Sequence, residues 1–274
     1  ELNLNNPQKE KVLAMLADNL REENIVYLYN FLFDNCTTRV RDIIQKAYGD
    51  SLHYDLPQQE VSFRDLITSC TKPYPWLAFG IDLIIGSGAD SLISIQQEMF
   101  LPEKLMSSMD KAYYTNEEGK HLPVVAARSV VLDANPSEAP AQAAKWNWPL
   151  IIGIALLIAF LALIKRGSKK EKTYPLPFAL LFLLAAIGGL IVSFLMFFSI
   201  HPCVNPNWNI MWLQPLHLIA VVGFFIRKPY PLFYWYHLMN LLLLCSLLLV
   251  WFLIPQQLPL AAIPYVVTLG SVSA

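Results

Sequence analysis

The second half of this 274-residue chain is dominated by apolar runs, at 148–164, 176–200, 210–226, 232–254 and 258–274. Each of the first four is close to the roughly 20 residues that a helix needs to cross a bilayer. The fifth is shorter and holds Pro264. The expectation for 148–274 is an all-α transmembrane bundle of about five spans.

Basic residues orient it. Lys165, Arg166, Lys169, Lys170 and Lys172 lie between the first two runs, and Arg227 and Lys228 between the third and fourth. The connections 201–209 and 255–257 carry neither lysine nor arginine. Positive loops stay cytoplasmic. An odd number of spans then leaves the first part of the chain outside the cytoplasm, on the side of His201. In a Gram-negative cell this describes a multi-pass protein of the inner (cytoplasmic) membrane with its N-terminal domain in the periplasm.

Charge divides the chain at the same place. Only Glu171 among the acidic residues follows Trp148, which leaves about −7 before that point and about +6 after it. An acidic exposed domain excludes nucleic acid as a partner. Residues 1–133 read as that domain and 134–147, rich in Ala, Pro, Ser and Gln, as a linker. Glu1 opens a polar segment with no apolar leader, and the chain stops inside an apolar run, so a processed chain or a fragment is expected.

Within 1–133, Asn6 is expected to cap a helix with Pro7 at its first position and with Val12, Leu13, Leu16 and Leu20 as its buried stripe. The run 25–33 reads as an aromatic strand, 36–48 as a helix ending near Gly49, and 62–69 as another helix. The segment Trp76 to Asp90 has three glycines but no Walker lysine or dinucleotide fingerprint, and reads as a packed helix or loop. Residues 91–100 and a turn opened by Pro102 read as helix. Tyr113–Thr115 and 122–132 flank Asn116-Glu117-Glu118-Gly119 as a β-hairpin.

The chemistry points to Cys36. Asp34-Asn35 supplies N-cap residue types, and Cys36, Val40, Ile43, Ile44 and Ala47 recur at helical spacing, which places the sulfur in the first turn on the inward face. Unpaired N–H groups and the positive end of the helix dipole favour an anionic sulfur there. Two plainer readings remain open: Cys36 as a small packed residue, and Cys36 paired with Cys70 in an oxidising compartment. Four cysteines, two of them (Cys203 and Cys245) in the membrane part, make no disulfide framework. His53 and His121 read as surface loop or turn residues, and either becomes a base only if the fold brings it beside Cys36.

The outer loop holds His201, Asn207, Trp208 and Asn209, and His201 is the better functional candidate because it sits at the bilayer surface on the sulfur's side. Gln214, His217, His237 and Asn240 fall inside spans. Interhelical hydrogen bonding is the favoured reading for them, over a functional one. Trp208, Trp212, Tyr234, Trp235 and Tyr236 read as interfacial anchors.

The run Tyr29-Asn30-Phe31-Leu32-Phe33-Asp34-Asn35-Cys36-Thr37-Thr38-Arg39 resembles the Asn-Cys segment of the lecithin–retinol acyltransferase family, the permuted branch of the NlpC-like papain fold. With Phe79-Gly80-Ile81-Asp82-Leu83, Met99-Phe100-Leu101-Pro102 and Asn207-Trp208-Asn209 ahead of the third span, the chain resembles the Lnb-type lipoprotein N-acyltransferases. The resemblance implies an α+β permuted papain-like periplasmic domain, incomplete at its N-terminus, followed by the helical bundle. It implies transfer of a fatty acyl chain from a phospholipid donor to the N-terminal amine of a diacylglyceryl-cysteine lipoprotein, with membrane lipid as surroundings and no metal or other cofactor. Cys36 would be the nucleophile and Asn35 an oxyanion or orienting group. Arg39, His201, Asn207 and Asn209 would be substrate or membrane-face residues. In the permuted branch the base histidine precedes the cysteine helix, so it is expected upstream of Glu1, and this chain alone is expected to be inactive. A membrane-anchored cysteine hydrolase (phospholipase or cell-wall amidase) and a non-catalytic membrane scaffold are the alternatives.

Overall fold

A computed structural model describes residues 1–132, 145–226 and 231–274. The expected linker falls mostly on residues outside these, as do Arg227 and Lys228. The first elements are α1 (Asn6–Asn19), α2 (Glu22–Ile25), α3 (Cys36–Tyr48), β1 (Leu52–Tyr54), α4 (Phe63–Thr71) and α5 (Pro75–Ile84). Then come α6 (Ile95–Glu98), α7 (Pro102–Asp110), β2 (Ala112–Thr115) and β3 (His121–Pro123). The last are α8 (Trp148–Lys170), α9 (Pro175–Phe198), α10 (His217–Gly223), α11 (Pro231–Val250) and α12 (Ile263–Ser273). They form two compact units, Glu1–Leu66 with Leu92–Ala139, and Ile67–Ser91 with Pro140–Ala274.

In the first unit β1, β2 and β3 make an antiparallel sheet in that order, with Leu52 opposite Tyr114 and Thr115 opposite His121. The hairpin forms as the turn residues require: Asn116 Oδ1 accepts from the N–H groups of Glu118 and Lys120, and Gly119 takes a positive φ of 76°. The strand through His53, expected as loop, forms because Leu52 and Tyr54 pack against the core that the sheet shares with α3 and α7. That core holds Ile44, Tyr48, Met99, Leu105, Met109 and Tyr114.

Several local expectations shift. The cap of α1 is Asn5 rather than Asn6, in a reciprocal capping box with Gln8. Its proposed stripe is not buried, since Leu13, Leu16 and Leu20 are all exposed. Helix in 91–100 is confined to α6, which starts where Ser94 caps it, and β3 ends at Pro123.

The second unit contains α8, α9 and α11, which among the described residues are the three helices long and apolar enough to cross a bilayer. The run 210–226 is not one helix. It forms a 3-10 turn, Trp208–Met211, and then α10, only seven residues long. Pro215 explains the break, because it has no N–H to donate and disfavours helical geometry at Gln214. The last run forms a 3-10 turn, Leu260–Ala262, leading into the 11-residue α12 with Pro264 in its first turn. Close helix approach depends on Gly189, where a Cβ would come within 2.5–2.6 Å of the Gln214 backbone.

The segment 67–91 belongs to this second unit rather than to the domain at 1–133 in which the sequence places it. Its apolar helix α5 packs on α8 and α9, and Phe79 stacks on Tyr265 at 5.8 Å between centroids.

Candidate active site

The segment before Cys36 is not a strand. After α2 the chain runs extended to a tight turn in which Asn30 and Asp34 exchange backbone hydrogen bonds of 3.0 Å in both directions. Asn30 Oδ1 accepts from the N–H groups of Leu32 and Phe33, each at 3.1 Å, so a side chain takes the donors that a ladder would need. Aromatic edges fix the turn. Phe31 meets Phe100 at 5.8 Å, Phe33 meets Phe63 at 5.4 Å, and Phe63 meets Phe100 at 5.4 Å.

Asn35 then caps α3. Its Oδ1 accepts from Thr38 N–H at 2.8 Å, and its own N–H donates to Thr38 Oγ1 at 2.8 Å. Its Nδ2 donates to the carbonyls of Phe31 at 2.8 Å and Phe100 at 3.0 Å. With both amide hydrogens committed and only 3% of the residue exposed, Asn35 has the geometry of an orienting group rather than of an oxyanion donor. The Asn35 carbonyl takes Arg39 N–H at 3.1 Å. The N–H groups of Cys36 and Thr37 have no acceptor among the described residues, as expected at a helix start.

Cys36 is exposed, and this corrects the inward face expected for it. The buried face of α3 is Thr37, Thr38, Ile44, Ala47 and Tyr48, while Val40 is exposed with the cysteine. The helix is rotated from the apolar pattern because the capping box draws Thr38 inward. Val26, Leu28, Tyr29, Phe31, Phe33 and Val40 all present exposed apolar surface in the cysteine's own segment. Tyr29 is a neighbour that sequence reasoning passed over. Its phenol is pushed up in pKa by partial desolvation first and by the Cys36 sulfur second. No spacing rule links positions 29 and 36, and only the turn at 30–34 brings them together.

Arg39 is committed within its own unit. Its Nε and NH2 groups donate to the two carboxylate oxygens of Asp34 at 2.7 and 3.0 Å, and the guanidinium lies 3.4 Å from the Tyr27 ring centroid. It clamps the turn to α3. His53 and His121 stand exposed on β1 and β3 and flank Tyr113, with ring centroids at 5.2 and 4.8 Å. His121 Nδ1 also meets Thr115 Oγ1 at 3.2 Å. Cys36 and Cys70 are both unbridged thiols, so no Cys36–Cys70 bond is present.

In the membrane unit His201 is exposed, and its N–H donates to Ser199 Oγ at 3.2 Å. Asn207 and Asn209 are buried, which corrects their assignment to a membrane or substrate face. Asn207 Nδ2 donates to Leu83 O at 2.8 Å, and Asn209 Nδ2 to Asp82 O at 3.0 Å. Gln256 Nε2 adds bonds to Ile85 O at 3.1 Å and Asn207 Oδ1 at 3.2 Å. These amides cap the carbonyl end of α5, where a helix leaves four acceptors unpaired.

The intramembrane polar residues make interhelical bonds. Gln214 donates to Asn240, Asn240 to Ser273 Oγ, His237 meets Ser273, and His217 meets Tyr236. Trp212 is buried with its indole N–H on Asn209 Oδ1, and Tyr236 is turned to His217. Neither is an interfacial anchor, whereas Tyr234 and Trp235 are exposed as anchors should be.

A helical unit with three helices able to cross a bilayer, and a second folded unit that carries an exposed thiol at a capped helix start, define a class: a membrane protein with an extramembrane domain. Residues 1–68 match the family model of the Lnb N-terminal periplasmic domain, and residues 141–274 match that of the Lnb transmembrane domain. The chain belongs to the Lnb family, and is thereby a membrane protein of the lipoprotein N-acyltransferase type. No curated protein and no solved structure matches it.

Proposed function

We propose that this protein transfers a fatty acyl chain from a phospholipid to the N-terminal amine of a diacylglyceryl-cysteine lipoprotein, through a thioester on Cys36, at the outer face of the inner membrane. The observation that carries this reading is the exposure of Cys36 in the first turn of α3, in a segment of exposed apolar side chains and in a chain with both Lnb domains. A sulfur meant for an acyl chain needs apolar surface beside it, and exposed patches of this kind mark lipid or partner contacts.

In the first half-reaction the Cys36 sulfur attacks the ester carbonyl of the donor. The C–O bond to glycerol breaks, and the glycerol oxygen leaves with a proton as lysophospholipid. In the second, the lipoprotein amine attacks the thioester, the C–N bond forms and the sulfur departs. The N–H groups of Cys36 and Thr37 are the oxyanion donors, and Asn35 positions them by holding the cap. Arg39 acts through the Asp34 clamp. The base in this reading is a histidine, as in the permuted papain-like arrangement. The runs at 210–226 and 258–274 complete five passes with the three long helices, which anchors the chain in the membrane that supplies both substrates.

Intact-mass measurement of lipoproteins from cells with and without the gene tests this. The transfer reading expects a loss of one acyl chain in the deletion strain; an unchanged mass argues for hydrolysis instead.

A further inference from the structure

Helix α5 lies outside the five apolar runs of the chain, yet Asp82 is its only charged residue. Its 10 residues span about 15 Å, half of the roughly 30 Å of a bilayer's hydrocarbon, so it cannot cross. Tyr265 fixes the level at which it packs. The Tyr265 ring stacks on Phe79 and lies against α8 at Gly153, where a Cβ would come within 2.8 Å of Cε2. Its Oη donates to Pro149 O at 2.9 Å. Helix α5 is therefore held beside the first two turns of α8, not beyond its end. The same turns expose Ile151, Ile152 and Ile154, so this is a level at which the span meets lipid. Lys165, Arg166, Lys169 and Lys170 mark the opposite end of α8 as cytoplasmic.

The two sides of α5 differ. Phe79 and Leu83 pack against the core of the membrane unit. The exposed positions are Trp76, Leu77, Gly80 and Ile84, and Trp76 and Leu77 are half exposed. Helical rotation gathers these four on one face, without a charged side chain, and leaves Asp82 on the other side. The far end of the helix is independently dry. The carbonyls of Asp82, Leu83 and Ile85 take side-chain amides from Asn209, Asn207 and Gln256 at 3.0, 2.8 and 3.1 Å, and all three donors are buried. A helix that ends in water can leave its last carbonyls to solvent, whereas one that ends in hydrocarbon must have them paired within the protein.

We infer that α5 is a membrane-inserted helix, which enters the non-cytoplasmic leaflet without crossing it and lays Trp76, Leu77 and Ile84 against the acyl chains of bilayer lipid. An apolar face of this kind, continued by the lipid-facing turns of α8, fits hydrocarbon and offers nothing to a polar partner. Lys72, Tyr74 and Trp76 at its start are the residue types that favour the headgroup boundary. This assignment rests on the membrane placement of the unit and not on the chemistry of Cys36.

The test places a photoreactive side chain in the full-length protein, as Leu77→p-benzoylphenylalanine and Ile84→p-benzoylphenylalanine, in vesicles of phosphatidylethanolamine and phosphatidylglycerol. Irradiated products are mapped by mass spectrometry. The same replacement of Ile154 on α8 is the lipid reference, and that of Glu117 at the hairpin tip the water reference. Phospholipid adducts are expected at 77 and 84 with the yield seen at Ile154. They should exceed those at Glu117 by about tenfold, the ratio that burying one leucine side chain supplies. Lipid adducts at Ile154 but none at 77 or 84 would overturn the assignment and leave the face in water. Adducts to peptides of 1–66 or 92–132, or to a second copy of the chain, would overturn it in favour of a protein-covered face. Hydroxyl-radical footprinting of the unaltered protein in the same vesicles decides the matter should the replaced chains fail to fold. Trp76 should stay unoxidised while the exposed His121 is modified, and oxidation of both would overturn the insertion. Cys36→Ser should leave the adduct pattern as it is, so the failure of the acyl-transfer reading and of this one are separable.

Discussion

Asn35 donates its side-chain amide to the carbonyl of Phe100, 3.0 Å away and 65 positions down the chain. The residue that caps the cysteine helix is thus fastened to the core of its unit, and the position of Cys36 is set by both ends of that tie.

Asn35→Ala removes the cap and leaves the Phe31 and Phe100 carbonyls without that donor. A loss of about 1–2 kcal/mol of stability is expected, with slower alkylation of Cys36 by a lipid-like electrophile. Asn35→Asp keeps an oxygen for Thr38 N–H and should recover much of the stability but not the tie to Phe100. Urea unfolding alongside alkylation kinetics distinguishes the two losses.

The Arg39–Asp34 pair is about one-third exposed, at 33% and 42% for the two side chains. Breaking it should therefore cost no more than about 1 kcal/mol. Its effect belongs in the turn at 30–34. Arg39→Lys, which cannot make the two-pronged bond, should impair acyl transfer far more than it lowers the unfolding midpoint. Equal loss in both would make the pair merely structural.

What was legible in the sequence follows from how local each signal is. The start of α3 at Asn35-Cys36, the hairpin at Asn116–Gly119 and the opening of α7 by Pro102 depend on neighbours within four residues, and all formed. The facing of α3 was not legible, because it depends on Thr38 being drawn in by its own cap while Val40 is left out. The strand expected at 25–33 gave way to Asn30, whose side chain satisfies its own turn. The allegiance of α5 was hidden for another reason: Asn207 caps it from 124 positions away, and no periodicity within Pro75–Ile84 announces that partner. The family itself was readable from the Asn-Cys run, where local chemistry is most demanding.

Asn209→Ala should destabilise the membrane unit, since it leaves Trp212 Nε1 without its acceptor and Asp82 O without its amide donor. About 1–3 kcal/mol is expected for each group left unsatisfied. Gly86→Ala should act on the same junction, because a Cβ there would collide with the carbonyl of Pro206. Thermal unfolding in detergent should report both losses, while alkylation of Cys36 in the folded protein keeps its rate.

Tyr48 gives a pH signature. Burial, then the neighbouring Tyr114, pushes its phenol up to about 12 from the ordinary 10.0, while its hydroxyl donates to Asn3 O at 3.0 Å. The neutral form is favoured on folding, so this contribution is full below pH 10 and is lost as the pH rises from about 10 through about 12. Tyr48→Phe should be less stable at neutral pH and lose less than the parent across that window. Denaturant midpoints at stepped pH, with absorbance read at the phenolate band, check the sign.

The most direct measurement is the mass of the full-length protein after incubation with phospholipid and no acceptor. The account predicts one fatty acyl adduct, mapped to Cys36, stoichiometric lysophospholipid, and discharge of the adduct when a diacylated lipopeptide with a free amine is added. An unmodified Cys36 in protein that still acylates the lipopeptide, or full activity of Cys36→Ser, would contradict it.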